Sequence, residues 1–255
     1  MIHNETIDLL LAHSSVRQYQ DKPVSQEVVD TILNCAQRAP TSSYLQSYTI
    51  IQVEDKEKRA ALMEFSGGQK WLVNAPLVLL FCGDLHRDDQ LLHPADQNVL
   101  HNAELFTVAV SDASLVAQRA FIAAQALGLG GVIVGGVRNE TAKMARLFDL
   151  PELVFPLYVL CLGYPESVPV QRPRFETRFI HAVDRYPALP DPDALVCGGR
   201  VPEGGRLPDK DGALCVIAFC HSPQSQTVHP TLERRSIPVW AKNSSSPRHS
   251  AGRAP

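Results

Sequence analysis

Residues 112–136 read D-A-S-L-V-A-Q-R-A-F-I-A-A-Q-A-L-G-L-G-G-V-I-V-G-G, and the reading of this stretch decides the fold. Through Leu127 the residues are apolar nearly all round a helix. A helix of that kind must be buried in a core or shared with another subunit. Gly128 stands where a C-cap glycine would end it, with close approach to a ligand as the alternative. G-V-I-V then reads as a strand with glycines on both sides. This is not G-x-G-x-x-G between a strand and a helix, so the dinucleotide fingerprint is absent. Gly135 and Gly136 end the strand, where missing side chains let backbone N–H groups approach a flat ligand.

Outward from this stretch, helical and strand-like segments alternate, as in a compact mixed fold. Ile7 to Leu11 make a short apolar helix face, and Ser25 can cap a helix in which Val28, Val29, Ile32, Leu33 and Ala36 recur at helical spacing. Y-T-I-I-Q-V (48–53), A-P-L-V-L-L-F-C (75–82) and V-F-P-L-Y-V-L-C-L-G (154–163) read as strands, D-K-E-K-R-A-A-L-M-E-F (55–65) and N-E-T-A-K-M-A-R-L-F (139–148) as helices. Residues 187–255 differ: they hold ten of the 19 prolines and one clear apolar stretch, A-L-C-V-I-A-F-C (213–220). A packed core is hard to build from that composition, so the tail is expected to be poorly ordered. The abruptness of the change is what a frameshift or rearrangement near residue 187 would leave.

With 255 residues, 45% of them hydrophobic, the chain can bury a substantial core. A net charge of -3 with no basic cluster argues against nucleic-acid and membrane-surface partners. Neither a signal peptide nor an apolar run of about 18 residues is apparent, which favours a cytoplasmic location. The six cysteines are widely separated, as reduced thiols are, and the histidines show no metal-ligand spacing.

Nucleophile elbows, zinc helices, phosphate-binding Walker loops and paired carboxylates are all missing, so the chemistry falls to a cofactor. Arg17, in A-H-S-S-V-R, and Arg172 and Arg174, in V-Q-R-P-R-F, offer planar forks suited to phosphate. With His13 and Ser15 they make a set for a phosphate monoester at a helix terminus.

Five motifs now stand in order: H-S-S-V-R (13–17), P-T-S-S-Y-L-Q (40–46), G-G-Q-K (67–70), L-G-L-G-G-V-I-V-G-G-V-R-N (127–139), and L-C-L-G-Y-P (160–165) followed by R-P-R (172–174). In combination they resemble the flavin-dependent nitroreductases, specifically the group A, oxygen-insensitive NADPH nitroreductase and flavin reductase branch, over residues 5–186. The resemblance implies an α+β fold, a mixed central sheet surrounded by helices with the long helix buried at a dimer interface. It implies a homodimer holding FMN at the interface, NADPH or NADH as reductant, and flat acceptors: nitroaromatics, quinones or free flavins reduced by two electrons in a ping-pong cycle at FMN N5, with no catalytic side chain.

Carried over by position, His13, Ser15 and Arg17 match phosphate and flavin-edge contacts, and Arg172 and Arg174 match a K-P-R pattern with arginine replacing the lysine. Thr41, Ser42 and Ser43 match a hydroxyl-rich turn near the cofactor, and Gln69 matches a glutamine that binds the ribityl or ring edge. Ile133, Val134, Gly135 and Gly136 match the backbone beside N5. Ser14 departs from an arginine common in relatives. The family's helical C-terminal part, which wraps the partner and grips the NADPH 2′-phosphate, has no match in 187–255. The alternative implied is an FMN-binding protein with little turnover.

Overall fold

The computed structural model describes residues 1–92, 97–172 and 174–187. The Pro-rich tail, its apolar stretch and the expectations attached to them lie outside the described residues.

The opening stretch folds as read, with one qualification. Helix α6 (Ala103–Ala126) is capped by Asn102, whose side chain accepts from the Leu105 amide at 2.9 Å. It ends in a Schellman motif. Gly128, at φ +80, donates to the Gln125 carbonyl, and Leu129 donates to the Ala124 carbonyl. Gly128 is therefore the C-cap glycine. Only one side of α6 is buried, through Val108, Ala109, Ala113, Val116, Ala117, Ala120, Phe121 and Ala124, while Phe106 and Leu115 are exposed. Within one chain the helix is therefore buried on one side only, and its outer side is mixed rather than apolar all round: Glu104, Thr107, Ser111, Gln118 and Arg119 are exposed beside Phe106 and Leu115. Contrary to expectation, α6 is long and apolar enough by composition to cross a membrane. Here it is the core helix of the sheet, packed on helix α2 (Gln26–Ala36) and strand β2 (Leu77–Asp84).

Four strands, β1 (Tyr48–Gln52), β2, β3 (Gly130–Val134) and β4 (Val154–Gly163), lie in the order β1-β2-β4-β3. Every described pairing is antiparallel, where a mixed sheet was expected. The reason is an inserted strand. β2 and β3 run the same way, joined by α6 as a crossover, but β4 sits between them and pairs antiparallel with both, a split βαβ unit. The α+β class stands.

Helices cover both faces, so β2 is buried at all eight positions and reads as an unbroken apolar run. Leu77, Leu79, Phe81, Leu160 and Leu162 meet α2 and α6 on one face. Val78, Leu80, Cys82, Val132, Val134, Val159 and Cys161 meet helices α3 (Lys56–Phe65), α4 (Trp71–Asn74) and α7 (Thr141–Leu147) on the other. Ser25 does occupy the α2 N-cap, yet its hydroxyl makes no cap bond. Two short helices complete the set: α1 (Glu5–Leu11), whose expected apolar face is at most half-buried, at Ile7 and Leu9, and α5 (His86–Leu92).

Candidate active site

Between α1 and α2 the chain runs extended along the open edge of β3. The Val16 amide donates to the Gly131 carbonyl at 2.9 Å, and Tyr19 forms a bridge with Pro165. Glycine is needed opposite. A Cβ on Gly130 would stand 2.5 Å from Val16 Cγ2, and one on Gly131 would run into the Cys161 carbonyl. The Tyr19 hydroxyl donates to the carbonyls of Val16 (3.0 Å) and Cys161 (3.2 Å). Burial first, then Cys161, pushes its proton affinity well above that of an ordinary phenol.

This lash carries His13, Ser15 and Arg17. His13 packs edge-on against Phe121, centroids 5.3 Å apart, and its Nδ1 lies 3.3 Å from Gln125 Nε2. Arg17 donates to the Ser15 carbonyl at 3.3 Å and lies over the Trp71 ring, 5.3 Å from its centroid. Desolvation, then the Arg172 guanidinium, lowers the hold of Arg17 on its proton. The segments that carry Arg17 and Arg172 are tied directly: Gln171 Nε2 donates to the carbonyls of Leu11 and His13. Arg174 donates to the Arg172 carbonyl at 3.0 Å. The segments that carry the two halves of the expected phosphate set thus lie side by side.

The other end of the site is built on the turn from Ser66 to Trp71. Gly67 and Gly68 take φ +81 and +76, and Gln69 Nε2 donates back to the Ser66 carbonyl at 2.9 Å. Gly136 comes so close that a Cβ there would lie 2.6 Å from that carbonyl and 2.8 Å from Gln69 Nε2. Gly135 is crowded by the Arg138 guanidinium, which donates to the Leu157 carbonyl. Val134 turns its side chain into the core and can offer only backbone. Ile133 instead is 36% exposed on a strand otherwise buried, an apolar surface beside the two glycines. Two buried polar atoms among the described residues lack partners, Ser66 Oγ and Trp71 Nε1, and both belong to this turn.

Thr41, Ser42 and Ser43 are not brought to this place. Their turn is held at the middle of α6, where Asp112 accepts from the amides of Ser42 (2.9 Å) and Ser47 (3.1 Å). His13 meets α6 at Phe121, nine residues further on, about 14 Å along the axis and half a turn round it.

Sequence reasoning missed Trp71, Gln171 and Asp112. Only Asp112 left a signal, as a carboxylate within an apolar helix.

The Nitroreductase family model matches residues 10–164. The chain is 37% identical over 186 residues to an FMN reductase (NADPH) of Bacillus subtilis, covering 72% of this chain and 75% of that protein. It is 36% identical over 184 residues to an oxygen-insensitive NADPH nitroreductase of Salmonella typhimurium, with 72% and 75% covered. Among solved structures, Vibrio harveyi NADPH:FMN oxidoreductase complexed with NAD+ superposes with a TM-score of 0.73 at 31% identity, covering 93% of this chain and 95% of that one. With the motifs, the site's two ends and these likenesses in agreement, the chain belongs to the nitroreductase family.

Proposed function

We propose that the chain is an FMN-dependent NAD(P)H oxidoreductase reducing nitroaromatics, quinones or free flavins. The observation that carries this reading is the tie through Gln171 between residues 11–13 and the segment of Arg172 and Arg174, which sets those arginines beside the stretch where Arg17 lies over Trp71. The residues fit the cofactor at both ends. Arg17, Arg172, Arg174, His13 and Ser15 take the phosphate. Exposed Ile133, the backbone of Val134, Gly135 and Gly136, and the Gln69 amide supply a flat apolar floor with a polar edge.

Held by these residues, FMN would supply the two-electron redox chemistry between NADPH or NADH and an acceptor sharing the slot. The protein's own groups bind and orient. Arg17 and Arg172 fix the phosphate, Gln69 fixes the polar edge of the ring, and Ile133 shields one face from water. Hydride transfer in a ping-pong order requires no side-chain acid or base.

The site is completed in a homodimer. The Thr41–Ser43 turn stands too far along α6 to serve the slot of its own chain, and the exposed Phe106 and Leu115 on the outer side of α6 fit a second copy. Such an enzyme works in the cytoplasm.

The test is a visible spectrum. A yellow protein that bleaches on anaerobic addition of NADPH and recovers with a quinone is expected. A colourless protein that takes up no added FMN overturns the proposal. Uptake of FMN without bleaching would mark a flavin-binding protein with little turnover.

A further inference from the structure

We propose that Trp71 is a positioning residue for the phosphate of bound FMN: its indole face holds the Arg17 guanidinium in place at the clamp. The inference rests on the flavin reading above. Arg17 is otherwise poorly restrained. Its guanidinium makes one long bond of 3.3 Å, to a carbonyl two residues away, on a side chain with several free torsions. That single bond alone would leave it free to swing toward solvent. A ring centroid 5.3 Å from Cζ is within the range where an aromatic quadrupole attracts a cation. Held this way, Arg17 is ordered before the ligand arrives, so binding need not supply that ordering.

The indole itself is firmly placed. Trp71 opens α4, its carbonyl accepts from the Ala75 amide at 3.0 Å, and its neighbour Leu72 is buried completely in the second core. Packing alone does not account for the residue. Its buried Nε1–H has no partner, a penalty that phenylalanine or leucine at the same place would not carry. What indole offers over those residues is the strongest π face of the side chains, and that face lies under a cation. The same turn carries Gln69 against Gly136, so one rigid segment sets the phosphate end and the ring end of the slot in register.

The experiment compares FMN with riboflavin, which lacks the phosphate, by flavin titration of the full-length protein and its Trp71→Leu and Trp71→Phe variants. Trp71→Leu is expected to weaken FMN by roughly 2- to 30-fold, the range of a cation–π contact, and to leave riboflavin within about twofold. Trp71→Phe, with a weaker π face, is expected to fall between the wild type and Trp71→Leu. Thermal melts confirm folding, and Trp71→Met replaces the leucine variant if that one does not fold. Equal losses for both flavins, or no FMN loss in a folded variant, overturn the assignment while leaving the flavin reading intact. A wild-type protein that binds neither flavin overturns the flavin reading itself.

Discussion

Replacing Asp112 by asparagine changes one oxygen for one amino group and should unsettle both the fold and the slot. Asp112 is 1% exposed and accepts two backbone amides, from Ser42 and Ser47. An asparagine oxygen can keep one of these, leaving its NH2 group opposed to the other donor. Ser47 is fully buried, so its amide has no recourse to water. A buried unpaired amide costs about 1–3 kcal/mol, and loss of the charge adds roughly another 1 kcal/mol to the bond that survives. The turn between these amides is also strained, with Ser43, Tyr44 and Gln46 at φ 49, 60 and 57. Once unpinned it relaxes, which recovers some stability but displaces Ser42 and Ser43.

The expected result for Asp112→Asn is therefore a loss of about 2–3 kcal/mol in urea unfolding followed by circular dichroism, with weaker FMN binding in the folded protein. Asp112→Ala should behave alike. If both variants unfold at the wild-type urea midpoint and bind FMN unchanged, the pinning role is refuted.

Three further outcomes follow from the same geometry. Gly136→Ala should cost about 1–3 kcal/mol and abolish FMN uptake, because its Cβ meets the Ser66 carbonyl and Gln69; Gly68→Ala, with open space but φ +76, should cost only about 1 kcal/mol and keep the flavin. Ile133→Asp, at an exposed strand position, should melt within a few degrees of wild type yet fail to hold flavin; a variant that stays yellow would remove Ile133 from the slot. Burial pushes the thiols of Cys82 and Cys161 up from 9.0 to about 12, so the folded state retains protons that the unfolded state releases. Their contribution to stability is complete below about pH 9 and is lost as pH rises from there toward 12; iodoacetamide at pH 8.5 followed by peptide mapping should label exposed Cys35 and spare both.

The sequence made the local elements legible where one periodicity dominates. The Gly128 cap, β3 and the apolar β2 run fall where their residues place them, since each answers to its neighbours in the chain. The adjacency of β4 to both β2 and β3 was hidden, because strand order follows from how α6 packs across the sheet and leaves no local mark. The lash of residues 13–20 has no strand pattern of its own; it is fixed by partners at Gly131, Tyr164 and Pro165. At 43–46 the left-handed backbone is held by a serine, a tyrosine and a glutamine, none of which announces that conformation as glycine or asparagine would. The two arginine-bearing segments of the proposed phosphate set stand out by residue type, whereas Trp71 does not. An aromatic residue opening a short helix is ordinarily core, and only its placement under Arg17 distinguishes it.

The lash has a consequence for how the molecule opens. β3 is the last strand of its sheet, and the Val16 amide closes its flank. The same eight residues present His13, Ser15 and Arg17, so peeling them away would in one event bare a β-edge to other chains and dismantle the anion grip. Flavin bound at the proposed site would therefore double as a clasp: FMN should slow hydrogen exchange at Val16 and proteolytic nicking near residue 14, and cells short of flavin would hold a form prone to edge-to-edge aggregation.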